Sequence, residues 1–217
     1  MLTKGDDFPI HQKASPLAEV GSSRNFYDRY FFNGYSKEDE IFFGAVLCVY
    51  PNLNIMDAAF TIAHKGIQHN VRASRILNLE RLDTVVGPIE VKVIEPLQKL
   101  QVLVSDKDSG VNVDVTFDGF TEVLQEPQMF LYDGPRKTMD TCRMVQHGSW
   151  TGQIKIEDFT IDIDQEKFVG TRDRSWGVRP VGAYDSQPPV PMSLPQFYWL
   201  WNPAHFDDFT TQFHFVD

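Results

Sequence analysis

The chain predicts an antiparallel all-β barrel or sandwich, and three observations carry that prediction. About a dozen short runs rich in β-branched and aromatic residues are separated by Gly, Pro, Asn and Asp. Between residues 111 and 117, Val111, Val113, Val115 and Phe117 alternate with Asn112, Asp114 and Thr116, the period of a sheet with one solvated face. Amphipathic helical spacing is almost absent, which leaves sheet packing on sheet as the way to build a core.

Residues 1–23 are polar and turn-rich, with Pro9, Pro16 and Gly21-Ser22-Ser23, and read as an arm or edge segment. Strands are predicted over Arg24–Asn33, Glu40–Tyr50, Ile55–His64 and Ile67–Leu79. Asn33-Gly34-Tyr35-Ser36, Pro51-Asn52-Leu53-Asn54 and Lys65-Gly66 separate them, the last a hairpin link suited to a primed turn. Further strands fall at Ile89–Ile94, Leu100–Ser105 and Val111–Phe117, with Asp106–Gly110 turning before the last. Residues 118–141 show weak helical spacing broken by Pro127, Gly134 and Pro135, and predict a loop with at most a short helix. Met144–Trp150, Gly152–Ile156 and Phe159–Ile163 resume the strand pattern, with Glu157-Asp158 as a turn. Ser186–Pro191 is a proline-rich connector that cannot be an interior strand. Phe197–Asn202 and Phe209–Val216 close the chain as strands. The organisation this suggests is an arm (1–23), a β-domain (24–169), and a linking strand with the beginning of a second β-domain (170–217). The ending in Phe213-His214-Phe215-Val216-Asp217 predicts a sheet completed by further chain or by another subunit.

Composition excludes several classes. At 217 residues, 42% hydrophobic and 13% aromatic, the chain can bury a proper core and is not disordered. Thirty acidic against twenty basic residues leave a formal charge of −10, which opposes nucleic acid and anionic membranes. Cys48 and Cys142 lie far apart among apolar residues, so two buried free thiols are expected ahead of one long-range disulfide. No secretory leader and no run of about 18 apolar residues is visible, and a soluble cytoplasmic protein is the resulting expectation. The six histidines show no metal spacing, and no P-loop, G-x-G-x-x-G or G-x-S-x-G occurs, so neither a metal nor a cofactor is expected.

The densest chemistry lies in Gly170–Arg179, GTRDRSWGVR. On a strand, Thr171, Asp173, Ser175 and Gly177 take one face while Arg172, Arg174, Trp176 and Val178 take the other. Buried, such charges need partners, so a structural Asp–Arg network is one reading and chemistry the other. Asp28–Arg29 in Tyr27-Asp28-Arg29-Tyr30-Phe31-Phe32 offers half of an ion network, with Tyr27 placed to line a pocket or to pair across strands. In Gln68–Arg75, Gln68, Asn70, Arg72 and Ser74 share one polar face, and His69, Val71, Ala73 and Arg75 the other. So polar a face turns either to water or to a wet cavity. His147, Trp150 and Asp173 form the most suggestive set: an acid, an indole to stabilise a cation, and a histidine to relay protons.

These residues carry a resemblance. GTRDRSWGVR, His147-Gly148-Ser149-Trp150-Thr151-Gly152, YDRYFF, VYPN, QHNVRASR and GPIEVKVIEPL resemble a bacterial branch of the lipocalin-like proteins that include AttH and the carotenoid 1,2-hydratases. Fungal Diels–Alderases and kievitone hydratase are distant relatives of that group. The resemblance implies two packed calycin-type barrels holding a hydrophobic ligand in or between them. Such proteins are longer than 217 residues, so the chain reads as a first domain with the beginning of a second. It also implies Asp173 as a proton donor assisted by His147 and Trp150. Read from the residues themselves, Trp176, Tyr27, His69, Arg72 and Arg179 are the ligand-lining candidates. The hydratases carry a tyrosine two residues before the aspartate, where this chain has Thr171. The expected partner is a hydrophobic small molecule such as a terpenoid, steroid, polyketide or lipid. The expected role is acid-catalysed hydration, cyclisation or isomerisation, a non-catalytic carrier, or a structural interaction domain.

Overall fold

The computed structural model describes residues 4–9, 23–36, 38, 40–78, 80–134, 136–180 and 198–216. It is all-β, a nearly closed antiparallel barrel with a separate two-stranded hairpin. The strands are β1 (Phe26–Ser36), β2 (Ile41–Tyr50), β3 (Ile55–His64), β4 (Ile67–Ile76), β5 (Val85–Val86), β6 (Ile89–Glu95), β7 (Lys99–Asp106) and β8 (Val111–Gly119). They continue with β9 (Leu124–Gln125), β10 (Met129–Asp133), β11 (Arg136–Ile156), β12 (Phe159–Ile163), β13 (Phe168–Val178), β14 (Trp199–His205) and β15 (Thr210–Val216). Around the barrel they run β4-β3-β2-β1-β13-β11-β8-β7-β6-β5, so the charged strand β13 sits between β1 and β11. The proline-rich connector predicted at Ser186–Pro191 lies outside the described residues.

Local chemistry explains most joints. Lys65 and Gly66 both take positive φ, 50° and 79°, the geometry of the primed turn between β3 and β4. Along β8 Val111, Val113, Val115 and Phe117 are buried, as their alternation requires. Three boundaries differ from expectation. Asn33–Ser36 is no turn: β1 runs through it, because Gly34 faces inward where a Cβ would lie 2.2 Å from the Phe43 ring. Residues 118–141 form β9, β10 and the start of β11 rather than a loop, since β11 offers an open backbone edge to which they pair. Met144–Trp150 and Gly152–Ile156 are one 21-residue strand, which pairs with β13 along one half and with β8 and β12 along the other.

The last seam is closed by a side chain. Arg75 on β4 donates through Nε to Val85 O at 2.6 Å and through Nη2 to Asp83 O at 2.5 Å, tying β4 to the stretch that enters β5. That covers part of an edge that would otherwise present unpaired backbone groups. Both cysteines are free thiols; burial pushes that of Cys48 up to about 11.

Inside, the barrel is filled in two chemical zones. The apolar zone centres on Trp150, fully buried, whose ring meets Phe32, Phe43 and Phe117 edge-on at 5.9, 5.1 and 5.3 Å. Its Nε1 donates to Asn33 O at 2.9 Å, and the wall beside it is Gly170, where a Cβ would lie 2.0 Å from that carbonyl oxygen. The other zone is ionic. Arg172 and Arg174 point inward from β13; Arg174 meets Asp28 at 2.6 Å, and Arg81 meets the other Asp28 oxygen at 3.6 Å. Arg172 is paired with Asp7 and donates to Gln146 Oε1 at 2.8 Å. Within the segment expected as an arm or edge, Asp7 is wholly buried, and its carboxylate neutralises Arg172. Burial works against the charge on both arginines; Asp28 more than offsets this at Arg174, whose pKa is raised, but Asp7 does not at Arg172, whose pKa is lowered.

Removing one member of a buried pair strands the other charge. Asp7→Ala is expected to cost about 3–5 kcal/mol of unfolding free energy in urea melts, and the double variant Asp7→Ala/Arg172→Met distinctly less. Equal losses for the two would mean that Arg172 finds another counter-charge.

Candidate functional site

The pleat that sends Arg172 and Arg174 inward sends Thr171, Asp173 and Ser175 to the outside of the barrel, yet all three are buried. Strand register arranges them in rows with β1 and β11: Arg29–Ser175–Arg143, Phe31–Asp173–Val145, Asn33–Thr171–His147 and Tyr35–Val169–Ser149. The β14–β15 hairpin reaches this side of the barrel through several polar contacts. His205 meets His147 and Tyr35; Trp201 Nε1 donates to Glu126 Oε1 at 3.1 Å; Arg143 lies 4.8 Å from the Trp199 ring centre. The outer wall is thus a buried polar strip rather than a solvated face.

Two constellations occupy it. The first is Asp173, whose two oxygens accept from Arg29 Nη2 at 3.1 and 3.2 Å. Burial disfavours the Arg29 charge, but the Asp173 carboxylate outweighs this and holds the guanidinium above its ordinary value. The second is a chain from the Tyr35 hydroxyl to His205 Nδ1, and from His205 Nε2 to His147 Nδ1 at 2.8 Å. Each nitrogen in it can donate or accept, so a proton can pass along it. Burial, and then the neighbouring His205 ring, lower the His147 pKa to about 4; burial raises that of Tyr35. Beside His147, Thr171 is fixed by Asn33, which donates to its Oγ1 at 2.8 Å and accepts from its backbone N–H at 2.9 Å. A cavity of about 300 Å³ opens at the Arg143 end, lined by Glu126, Met129, Leu131, Thr141, Trp199 and His214 among others.

The candidates divide accordingly. Asp173 and His147 share the outer wall, one row apart. Trp150 is on the opposite side of the same wall, inside the barrel, with its ring plane enclosed by phenylalanines. Tyr27 is buried beneath Arg179, whose guanidinium lies 4.2 Å from its ring centre, and Tyr27 pairs with Gly177 at the end of the same wall. Trp176 is half-buried opposite Asp28 and Cys142. His69 and Arg72 are four strands away on β4; Arg72 is exposed, along with Gln68, Asn70 and Ser74, so that polar face turns to water. Among the described residues no group of three or more His, Cys, Asp or Glu is placed to hold a metal, and no helix is long and apolar enough to cross a membrane.

Tyr35 and His205 are the site residues that sequence reasoning assigned no role, and Arg29, expected with Asp28 to be half of an ion network, takes Asp173 as its partner. Tyr35 was hidden by the turn-like Asn33-Gly34 before it, and His205 by its distance in sequence. The signal available for Arg29 was its odd-numbered spacing on β1, which places it on the face of Asn33 and Tyr35.

The fold and the covered outer wall define a lipocalin-like barrel. Over residues 2–217 the chain matches the model of the family of unknown function DUF8625, and it belongs to that family. Among solved structures it is similar to kievitone hydratase from Nectria haematococca, with a TM-score of 0.57 at 16% identity, covering 96% of this chain and 70% of that one. It also matches CghA in complex with Sch210972, with a TM-score of 0.46 at 13% identity, covering 78% of this chain and 52% of that one. No curated protein sequence matches.

The lowered pKa of His147 makes a pH prediction. An unfolded chain takes up this proton as pH falls below 6.5, the ordinary value, whereas the folded one resists until about 4. The fold's preference for neutral His147 therefore adds stability above pH 6.5 and loses it steadily from there to about 4. Urea midpoints measured across that window should fall less steeply for His147→Gln than for the wild type; identical slopes would refute the assignment.

Proposed function

We propose that the chain binds a hydrophobic small molecule against the outer wall of β1, β13 and β11, under the β14–β15 hairpin, and carries out acid–base chemistry on it there. The terpenoid, steroid, polyketide and lipid classes all suit such a wall, where apolar Phe31 and Val145 flank polar groups. The observation that carries this reading is the Tyr35–His205–His147 chain, with His147 buried and the other two half-buried on a side of the barrel that would be expected to face water. A fold needs no proton-conducting chain there for packing alone, and hydration, cyclisation and isomerisation all require a positioned proton. The likeness to kievitone hydratase adds only the shared fold.

The relay would supply and recover the proton. Asp173, held by Arg29, faces the ligand as a fixed ion pair and would have to lose Arg29 before donating a proton itself. Its role in this reading is to steady positive charge developing on the ligand, with His147 one row away. Trp150 supports the wall from inside. Tyr27, Trp176 and Arg179 would border the ligand's far end, and the positions of His69 and Arg72 leave them out. We read the hairpin as the beginning of a second β-domain: its Phe206, Phe209, Phe213 and Phe215 are exposed, as the face of an unfinished core would be.

A second reading, that of a non-catalytic carrier, is favoured by the Arg29 clamp on Asp173, which a purely structural pair would also show. Native mass spectrometry of the purified protein is expected to reveal a co-purified apolar compound. With that compound, Tyr35→Phe and Asp173→Asn should each slow conversion by roughly 10²-fold or more while circular dichroism shows an intact fold. An unchanged ligand mass after incubation with the wild type would select the carrier, and loss of the fold in Asp173→Asn would make that residue structural.

A further inference from the structure

The row below Asp173 contains something the proton relay does not use. Arg29, Ser175 and Arg143 are cross-strand neighbours on three adjacent strands. Ser175 is wholly buried, and its Oγ has no hydrogen-bond partner. The Nε atoms of Arg29 and Arg143, on either side, are buried and likewise unpartnered, although the outer nitrogens of both arginines hold carboxylates. A buried donor left unmade is costly, and a row of them in one place is rare in a folded protein.

The charges of this row are already balanced. Arg29 is matched by Asp173, and Arg143 by Glu126, 3.3 Å away and also bonded to Trp201. What the row lacks is therefore an acceptor oxygen rather than a counter-ion. Two guanidinium Nε–H groups and a hydroxyl are all able to donate to one oxygen placed between them. The cavity of about 300 Å³ adjoins this row at Arg143 and Thr141, with Trp199 stacked over the Arg143 guanidinium, so there is room for a ligand to approach.

We infer that Arg29, Ser175 and Arg143 form the recognition site for a carbonyl oxygen of the hydrophobic ligand, which makes that ligand an apolar ketone, ester or lactone. The inference rests on the proposed ligand-binding role of this wall. It also sets a scale. From Ser175 to Thr171, beside His147, is four residues of extended strand, about 13 Å. A ligand whose carbonyl sits over Ser175 therefore presents to the relay an atom roughly that far along its skeleton, past Phe31 and Val145.

The test compares 2-undecanone with undecane as probes, by quenching of tryptophan fluorescence, on the wild type, Ser175→Ala and Arg143→Lys. Arg143→Lys keeps the charge facing Glu126 but lacks the guanidinium Nε–H. The ketone is expected to bind the wild type more tightly than the hydrocarbon. Each substitution should weaken the ketone by about five- to tenfold, a hydrogen bond's worth, and leave the hydrocarbon unmoved. Ser175→Ala should melt no earlier than the wild type, because its hydroxyl has no partner to lose. Equal affinity for the two probes, unaltered by either substitution, overturns the carbonyl site and leaves ligand binding at the wall standing. Binding of neither probe overturns both. Loss of stability in Ser175→Ala shows a structural hydroxyl and also overturns the site.

Discussion

The period-two pleat of β13 is the constraint on which the other features depend. It keeps Arg172 and Arg174 on one side of the wall and Asp173 on the other, so one strand serves two ionic systems that do not neutralise each other. Inside, the arginines are held by Asp7 and Asp28, one from before β1 and one from within it. Outside, Arg29 alternates against Asp28 on the same strand and takes Asp173. Both assignments fail if β1 and β13 slip by a single residue, because every side chain would change face. The register is pinned by the glycines that let Trp150 and Phe43 press against the wall, so apolar packing fixes which charge meets which.

Much of this was legible in the sequence. The all-β class, the turn at Lys65-Gly66, the alternation in β8 and the two faces of the decapeptide follow from periodicity and turn chemistry, which are local. The ionic partners were not legible. Asp7 lies 165 positions from Arg172, and nothing in a polar, proline-punctuated segment distinguishes a buried carboxylate from a solvated one. The length of β11 was hidden for a related reason: a strand that changes neighbours midway shows two patterns and reads as two strands.

The candidate site was half visible. Asp173 and His147 could be singled out because charged and aromatic residues crowd there, whereas Trp150 carried the same signature and proved to be interior. A tryptophan on a strand does not announce which side it faces when the strand is covered on both. Tyr35 and His205 are ordinary residues in sequence, and only the approach of the hairpin to the wall brings them into line. Buried polar faces of this kind are written by tertiary contact, which a single sequence does not display.

The position of β13 also governs the order in which the barrel is made. β1 to β4 form one run of neighbouring hairpins and β5 to β8 another, each able to zip up from local contacts as it is synthesised. Arg75 links them at one seam, but the pairing that closes the other side needs β13, which comes some 140 residues after β1 and pairs with β1 on one side and β11 on the other. Until then Asp28 has no Arg174, and the inner face of β1 carries a charge towards an unfinished core. Completing the barrel therefore depends on one pairing of high sequence separation, the kind of contact that closes late because its loop entropy must be met first.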